Sequence, residues 1–446
     1  MSGWEIPEHI TLIEKRKAKK LLTERQKNMK PPTLLLERPW LQIEETPSEG
    51  MSAKIMTWNL LAQTLVRRDL FPTSDCLKAA QRRHLLHEEI ERQDPDILCM
   101  QEVDTLDKLL PVLDKAGYGH RYASGPFKKH GCLIAFKNLL FSAAVAEKTV
   151  FYDDEEVSQE GTDVQRIGKS FRTKNIGLIV GLQRLDNPNN GIVVATTHLF
   201  WHPRYTYERA RQAGILARET TKFRVSEPSR LSWPTVLAGD FNFTPLDPAY
   251  SLLTSLSLSP EHEAMLSLSR VVHTSIDPGI DAATPTAPAA SGDEAGGAAG
   301  EDQDPDRVIT NARSARPEDG LLGSEGLVSL FSELPRATSS YALGLSRYLD
   351  GEGELQRGQE FPIFGITHSL SPSTLGFFEP AFTSYTHYWK SVLDYIFVLT
   401  PEPSSIEVTG LLAPLPAEAM EPGLPQKNVC GSDHLPLVAS LTFKLL

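Results

Sequence analysis

The chain has 446 residues, a formal net charge of −12, and hydrophobic and charged fractions of 40% and 23%. These values are typical of a soluble globular protein that can bury a large core, in one large α/β domain or in two smaller ones. They argue against a membrane protein, because no apolar run reaches membrane-spanning length.

The negative charge is concentrated in one part of the chain. The segment 277–306 carries many acidic residues and no lysine or arginine. Such an insert can determine the net charge of the chain while a basic surface remains elsewhere. The negative net charge therefore does not exclude RNA as a partner. The four cysteines have no C-x-x-C spacing, and we expect buried free thiols in an intracellular protein. They are Cys76, Cys99, Cys132 and Cys430.

We interpret residues 1–50 as an N-terminal appendage. It contains a short predicted basic helix at 14–27, followed by Pro31 and Pro32. The basic run 15–20 is either a nuclear address, an RNA contact or a plain solvated helix face. Its first residues lack the charged-then-apolar layout of a secretory signal, and the acidic neighbours fit a mitochondrial presequence poorly. We therefore expect the cytoplasm or the nucleus, without membrane contact.

From Lys54 onward, strand-like and helix-like patterns alternate. Predicted strands cover Ile55–Asn59, Ile97–Gln101, Cys132–Phe136, Ile176–Gln183, Ile192–His198, Thr235–Gly239, Val392–Val398 and Leu435–Phe443. Predicted helices cover Lys78–Gln93, Leu106–Ala116 and Tyr205–Phe223. Because many neighbouring strands are compatible with antiparallel pairing, the sequence predicts an α/β fold of two packed mixed sheets flanked by helices.

The stretch 275–322 interrupts this pattern. It is rich in alanine, glycine, proline and acidic residues and has almost no bulky apolar side chains. Such a segment cannot bury enough surface to offset the entropy lost on ordering. We therefore predict a disordered acidic insert within one catalytic domain that covers 51–446.

Polar and titratable side chains stand at the edges of the predicted apolar strands. In the most informative cluster, Asp240-Phe241-Asn242 follows the apolar run Val236–Ala238, and an extended chain would project Asp240 and Asn242 to the same side. Each such residue alone is common in turns, helix caps or cores. Six strand-end clusters of this kind together indicate a catalytic site. The full set is Asn59, Glu102, His198, Asp240, Asn242, Asp394, Asp433 and His434.

The chemistry of this set is coherent. Glu102, with Asp240 or Asp433, offers the oxygen ligands that Mg²⁺ prefers, and Mn²⁺ is a possible substitute. His434 is the natural proton carrier near neutral pH, and a buried carboxylate such as Asp394 can fix its tautomer. Three side chains can donate hydrogen bonds to phosphate oxygens, namely Asn59, Asn242 and His198. The alternative for His198 is a histidine buried in the core.

These clusters resemble the exonuclease–endonuclease–phosphatase superfamily over roughly residues 52–446. That family has a four-layer α/β sandwich and consists of Mg²⁺-dependent phosphoesterases related to DNase I. The resemblance implies that Glu102 is the principal metal ligand and that Asp433 supports metal or water. It also implies that Asn59 and Asn242 assist at the phosphate.

The same resemblance gives the proton-transfer groups. It implies that His434 contacts the scissile phosphate while Asp394 orients it, and that Asp240 positions or activates the nucleophile. The general base stays open between Asp240 and the Asp394–His434 pair.

Three strings are similar to the deadenylase and nocturnin-like branch, and within it to the fungal Ngl-type RNA exonucleases. They are Asn59-Leu-Leu-Ala-Gln63, Thr197-His-Leu-Phe-Trp-His-Pro203 and Phe382-Thr-Ser-Tyr-Thr-His-Tyr-Trp-Lys390. The resemblance implies that Pro203 and Trp389 sandwich a base near the scissile phosphate, with a core aromatic as the alternative for Trp389. Three basic residues either contact neighbouring phosphates or are ordinary surface residues. They are His202, Arg204 and Lys390.

The sequence therefore predicts a Mg²⁺-dependent 3′→5′ exoribonuclease. It would act as a monomer on a single-stranded RNA 3′ end, of a poly(A) tail or a structural RNA, and release 5′-nucleotides. One alternative is a phosphatase or phosphodiesterase for a small phosphoester, such as a dinucleotide 2′-phosphate, an inositol phosphate or a sphingolipid headgroup. Another is a non-catalytic RNA-binding adaptor, against which the complete carboxylate and histidine set argues.

Overall fold

The computed structural model describes residues 35–44, 49–142, 146–280, 308–351, 361–399 and 405–444. The predicted basic helix at 14–27 and most of the predicted acidic insert lie outside these residues. None of the helices in the described ranges is long and apolar enough to cross a membrane.

The described strands and helices follow one another in a mixed order. The strands are β1 (Trp40–Gln42), β2 (Met51–Asn59), β3 (Ile97–Val103), β4 (Tyr118–Ser124), β5 (Gly131–Lys137), β6 (Ala146–Phe151), β7 (Ile176–Gln183), β8 (Gly191–His198), β9 (Thr235–Asp240), β10 (Val271–His273), β11 (Ala312–Ser314), β12 (Thr338–Ser339), β13 (Ser384–Tyr385), β14 (Lys390–Ser391), β15 (Asp394–Leu399), β16 (Ser405–Leu412) and β17 (Leu437–Lys444). The helices are α1 (Ala79–Gln93), α2 (Leu106–Lys115), α3 (Asp163–Ile167), α4 (Thr206–Val225), α5 (Pro248–Thr254), α6 (Pro260–Ser269), α7 (Ser324–Ser332), α8 (Ser340–Gly351), α9 (Phe364–Thr367) and α10 (Ala417–Met420).

Thirteen of the strands form two mixed sheets. The seven-stranded sheet has the order β1-β16-β17-β2-β3-β5-β4, and the six-stranded sheet has the order β12-β15-β9-β8-β7-β6. In each sheet one central pair is parallel, β2 with β3 and β8 with β9, while the other pairs are antiparallel. The predicted fold class is therefore confirmed.

The sheets pack face to face, and helices cover their outer faces. Side chains from β3 and β9, such as Cys99 and Val236, meet in the core between the sheets. The next residue along β3, Met100, points to the opposite face, where Ile90 of α1 packs. Helix α4 covers the other sheet through residues such as Leu216. Because both faces of the central strands are buried, their sequences are nearly continuous apolar runs.

All four cysteines are free and buried, as the sequence predicts. They are Cys76, Cys99, Cys132 and Cys430.

The boundaries predicted for the acidic insert are wrong at its C-terminal flank. Strand β11 pairs with β10 at the register Val272↔Arg313, and Arg313 forms ion pairs with Asp277 and Asp319. Leu321 is buried in the core under α4. The arginine and the leucines give this flank charge pairs and apolar contacts within the folded domain. The residues 281–307 of the predicted 275–322 insert lie outside the described residues, and their disorder stays a prediction.

Candidate active site

The site lies at one edge of the sandwich because the parallel strands of both sheets end there. Asn59 is the last residue of β2, while His198 and Asp240 are the last residues of the parallel neighbours β8 and β9. These two face each other in register, and Asp394, the first residue of antiparallel β15, also pairs with Asp240. The carboxyl ends of parallel strands and the amino end of an antiparallel neighbour meet at the same edge.

Asn59 connects the carboxylates of the two sheets. Its side-chain Nδ2 donates to Oε1 of Glu102 at 2.8 Å and to Oδ2 of Asp240 at 2.9 Å. Its Oδ1 accepts the backbone N–H of Leu61 at 2.9 Å. Both amide hydrogens are thus directed at carboxylates, so Asn59 positions them here instead of facing outward as a phosphate donor.

Glu102 reaches the site through an irregularity in β3. The pairing of β3 with β5 changes register between Met100 and Val103, and Glu102 has a positive φ of 54°. A bulge of this kind turns one side chain away from the regular alternation of the strand. The second carboxylate oxygen, Oε2, accepts the backbone N–H of Ala62 at 2.7 Å. The carboxylate is therefore fixed at both oxygens.

His434, Asp394 and Thr383 form a buried chain of hydrogen bonds. His434 Nδ1 lies 2.7 Å from Asp394 Oδ2, and the hydroxyl of Thr383 donates to the same oxygen at 2.6 Å. The Thr383 hydroxyl oxygen in turn accepts the backbone N–H groups of residues 393 and 394. Asp394 thereby favours a proton on Nδ1 of His434. The other ring nitrogen, Nε2, lies 3.7 Å from Oδ2 of Asp240.

The imidazoles and carboxylates shift one another's proton affinity. Burial raises the pKa of the Asp240 carboxyl, while the charges of His198 and His434 act in the opposite direction. Burial alone would lower the pKa of His434, but the carboxylates of Asp394 and Asp240 outweigh it and raise that pKa well above its ordinary value. His198 lies 3.8 Å from Glu102 and 3.5 Å from Asp240. It therefore belongs to this cluster as well as to the core.

The chain turns immediately after β9, which the sequence argument did not predict. Asn242 has a φ of 53°, and its backbone N–H donates to Oδ1 of Asp240 at 3.0 Å. Its side-chain Nδ2 donates to the carbonyl of Leu199 at 3.0 Å. The extended-chain alternation thus ends at Asp240, and a turn with a left-handed residue places Asn242 instead.

Asp433 directly precedes His434 in the chain. It is buried, and its Oδ1 contacts the hydroxyl of Ser432 at 3.4 Å, which is a weak hydrogen bond. Ser432 donates more strongly to the backbone carbonyl of Asn59 at 2.6 Å. This contact ties the segment before His434 to the end of β2.

The donor set fits a divalent cation. Carboxylate oxygens of Glu102 and Asp240 both lie within hydrogen-bond reach of one amide nitrogen and therefore face the same small volume. Asp240, Asp394 and His434 also have ligand atoms within 4.8 Å of one another. Since Oδ2 of Asp394 is occupied by His434 and Thr383, we regard Asp394 as a support for the imidazole and not as a ligand.

The residues predicted to bind substrate lie on two separate segments. Pro203 is exposed, and its carbonyl accepts a hydrogen bond from Arg209 at 2.7 Å. His202 is buried, and its Nδ1 accepts the backbone N–H of exposed Arg204 at 3.1 Å. This bond makes His202 part of the local turn, and its contact to a phosphate stays a prediction.

The second segment is the hairpin β13–β14. Trp389 is partly buried, donates from Nε1 to Ser384 at 3.1 Å and packs edge-on against Phe71, with ring centroids 6.0 Å apart. Lys390 is exposed and forms an ion pair with Glu421 at 2.7 Å. The base sandwich of Pro203 and Trp389 stays a prediction.

Two buried polar residues support the site without having been predicted. Arg82 of α1 donates from Nε to the carbonyl of Gly431 at 2.6 Å and also to the carbonyls of Leu60 and Leu61. Gln101 donates to Thr196 in the opposite sheet at 2.9 Å. The signal in the sequence is a polar side chain in an otherwise apolar strand or helix face, which burial makes unfavourable unless it is paired. Thr383 escaped notice similarly, although it lies in a string that carried the family resemblance.

Two mixed sheets between helices, with buried carboxylates, amides and imidazoles gathered at one edge, define an enzyme that cleaves phosphoesters. A model of the Endonuclease/Exonuclease/phosphatase family matches residues 56–434, and the chain belongs to this family. The resemblance inferred from the strand-end clusters is therefore confirmed.

The chain is similar over nearly its whole length to fungal proteins. It is 31% identical to a probable RNA exonuclease of Schizosaccharomyces pombe, over 98% of this chain and 88% of the relative. It is 28% identical to the RNA exonuclease NGL2 of Saccharomyces cerevisiae, over 98% of this chain and 89% of the relative. These similarities confirm the predicted Ngl-type branch.

Solved structures share the fold. The crystal structure of ANGEL2, described as a 2′,3′-cyclic phosphatase, covers 92% of this chain and 100% of its own, with 20% identity and a TM-score of 0.53. The human Nocturnin catalytic domain covers 93% of this chain and 100% of its own, with 18% identity and a TM-score of 0.51. At these identities the likeness concerns the fold alone.

Proposed function

We propose that this protein is a Mg²⁺-dependent 3′→5′ exoribonuclease that removes 5′-nucleotides from single-stranded RNA. The observation that carries the proposal is the bridge from Asn59 to both Glu102 and Asp240, with the His434–Asp394 pair beside it. The names of the two fungal relatives support RNA as the substrate class.

In this proposal Glu102 and Asp240 hold the cation, with Asp433 as a further acidic group beside it. The bound cation would neutralise the phosphate and stabilise the leaving oxygen. Asn59 keeps the two carboxylates in the geometry that the ion requires, in the manner of a supporting residue behind a metal ligand.

The remaining side chains act on the phosphate and on the attacking water. His434, held by Asp394 and charged by its acidic surroundings, donates from Nε2 to a phosphate oxygen. This assignment leaves Asp240 as the group that orients the water and accepts its proton. In this proposal His198 and the second amide hydrogen of Asn242 add hydrogen-bond donors as charge develops on the phosphate.

A digest of 5′-labelled single-stranded RNA tests the proposal. We expect a ladder that shortens from the 3′ end, release of 5′-mononucleotides, loss of activity in EDTA and recovery with Mg²⁺. Cleavage of a circular RNA would contradict an exonuclease. Faster phosphate release from a small phosphoester than from RNA would assign the site to the alternative substrate class.

The matched variants are Glu102→Gln and Glu147→Gln. Glu102→Gln removes a ligand while keeping the shape, so turnover should disappear while RNA binding persists. Glu147 is exposed on β6, and its change should leave turnover intact. Unchanged turnover in Glu102→Gln would refute the proposed metal site.

A further inference from the structure

The loop between β4 and β5 exposes an aromatic side chain that the site described above does not use. Phe127 is 94% exposed and has a positive φ of 64°. A phenylalanine in the left-handed region, with its ring in solvent, contributes nothing to a core and is unfavourable locally. Its presence points to a role outside folding.

One lysine lies near this ring, and two more follow it in sequence. Lys174 places its ammonium 6.0 Å from the centroid of the Phe127 ring. Lys128 and Lys129 follow directly in the loop, and the segment 125–131 contains no acidic residue. An aromatic face between lysines is the combination that binds single-stranded nucleic acid, because a base stacks on the ring and phosphates meet the charges.

The loop and the Lys174 segment are held together by close backbone packing. A Cβ added at Gly125 would lie 1.9 Å from the carbonyl oxygen of Lys174, so only glycine permits this approach. The Lys128 ammonium donates to Asn175 at 2.9 Å, and Asn175 donates to the carbonyl of His198 at 2.9 Å. The surface is thus a fixed extension of the strand edge that carries the site.

A small depression lies between this loop and the site. It is lined by Lys128 and Lys174 on one side and by Glu102 and His198 on the other. Lys128 and Lys174 are therefore close to the residues of the proposed metal site.

We propose that Phe127, with Lys128 and Lys174, forms an RNA-binding surface that stacks one base of the substrate away from the scissile phosphate. The inference rests on the proposed exoribonuclease function and adds the path of the RNA chain. The surface favours longer RNA over dinucleotides, because a dinucleotide that is bound at the cleavage site does not reach the Phe127 ring.

Kinetics on a dinucleotide and on a 12-nucleotide RNA test this surface. Phe127→Ala should raise KM for the 12-mer about 5-fold or more, with kcat unchanged, and leave the dinucleotide unaffected. Phe127→Tyr should retain most of the affinity, because it keeps a stacking ring. The matched control is Leu139→Ala, since Leu139 is 87% exposed beyond the other end of β5.

The charge contribution has its own measurement. Lys174→Gln should reduce the slope of log KM against log salt concentration by about 0.7, as for one phosphate contact on a single strand. Lys137→Gln, which breaks a surface ion pair with Asp94 at the far end of β5, is the control and should not change the slope.

Two outcomes overturn the inference. One is an unchanged KM of Phe127→Ala for the 12-mer, which is expected if the surface binds a protein instead. The other is an equal increase in KM for the dinucleotide and the 12-mer. Failure of the proposed function is distinguishable, because wild type would then cleave neither substrate. In that case anisotropy of a labelled 12-mer decides, with weaker binding by Phe127→Ala than by Leu139→Ala supporting the surface and equal binding overturning it.

Discussion

Asn59 in one sheet donates its side-chain N–H to Asp240 in the other at 2.9 Å, so a single amide joins the two halves of the sandwich at the site. The same nitrogen fixes Glu102 at 2.8 Å. The distance between the two carboxylates therefore depends on how the two sheets pack against each other.

Asn59→Ala should weaken cation binding more than it weakens RNA binding. Without the amide, the carboxylates of Glu102 and Asp240 lose their common donor and repel each other. Loss of such a supporting residue lowers metal affinity by about 10–100-fold. A Mg²⁺ titration of RNA hydrolysis should show the midpoint shifted upward by this factor, with activity recovered in part at saturating Mg²⁺. A reduced kcat at an unchanged Mg²⁺ midpoint would instead make Asn59 a phosphate donor.

Thr383→Val should lower kcat although Thr383 contacts no catalytic atom except through Asp394. The change removes the hydroxyl that donates to Asp394 and accepts two backbone N–H groups, while keeping the volume. Asp394 then holds the His434 imidazole less firmly, and we expect kcat to fall about 10-fold or more, because a displaced donor stabilises the charge on the phosphate less in the transition state.

Thr383→Ser is the matched control because it keeps the hydroxyl. Its kcat should stay close to that of wild type, and its pH–rate profile should be unchanged, whereas the profile of Thr383→Val should shift. A loss in Thr383→Ser, with Thr383→Val close to wild type, would indicate that packing by the methyl group, and not the hydroxyl, is what matters.

The sequence predicts the long strands better than the short elements around them. Apolar runs ending in Asn59, His198 and Asp240 are visible because both sheet faces are buried, so the strand ends stand out. The short strands β12, β13 and β14 have no such runs, because two residues are too few to show a pattern and only pairing in the folded chain defines them. The roles of Thr383 and Arg82 are hard to predict because the folded chain sets their hydrogen-bond partners.

Arg82→Lys should destabilise the fold near the site. A lysine cannot reproduce the planar fork with which Arg82 serves the carbonyls of Gly431, Leu60 and Leu61. At least one buried carbonyl loses its partner, so the free energy of unfolding should fall by about 2 kcal/mol. Urea denaturation measures this difference. Arg83→Lys, a change at a partly exposed position of the same helix, should have little effect; equal midpoints for both variants would contradict the role of Arg82.

Glu379→Gln should stabilise the protein at neutral and higher pH. Burial raises the pKa of the Glu379 carboxyl from 4.5 to about 7, while hydrogen bonds from Ser339 and Tyr250 act in the opposite direction. Between these two values the native state binds more protons than the unfolded state. Stability is therefore lost as pH rises from about 4.5 to about 7, and the difference reaches about 3 kcal/mol above pH 7.

Glutamine keeps the acceptor for the Tyr250 hydroxyl, which lies 2.8 Å from Glu379, but carries no charge. The free energy of unfolding of Glu379→Gln, minus that of wild type, should therefore be near zero at pH 4.5 and grow positive towards pH 8. Urea midpoints at several pH values measure it, with the exposed Glu318→Gln as the control for a general loss of one charge. A difference between Glu379→Gln and wild type that stays constant across this range would show that Glu379 does not remain protonated in the folded protein.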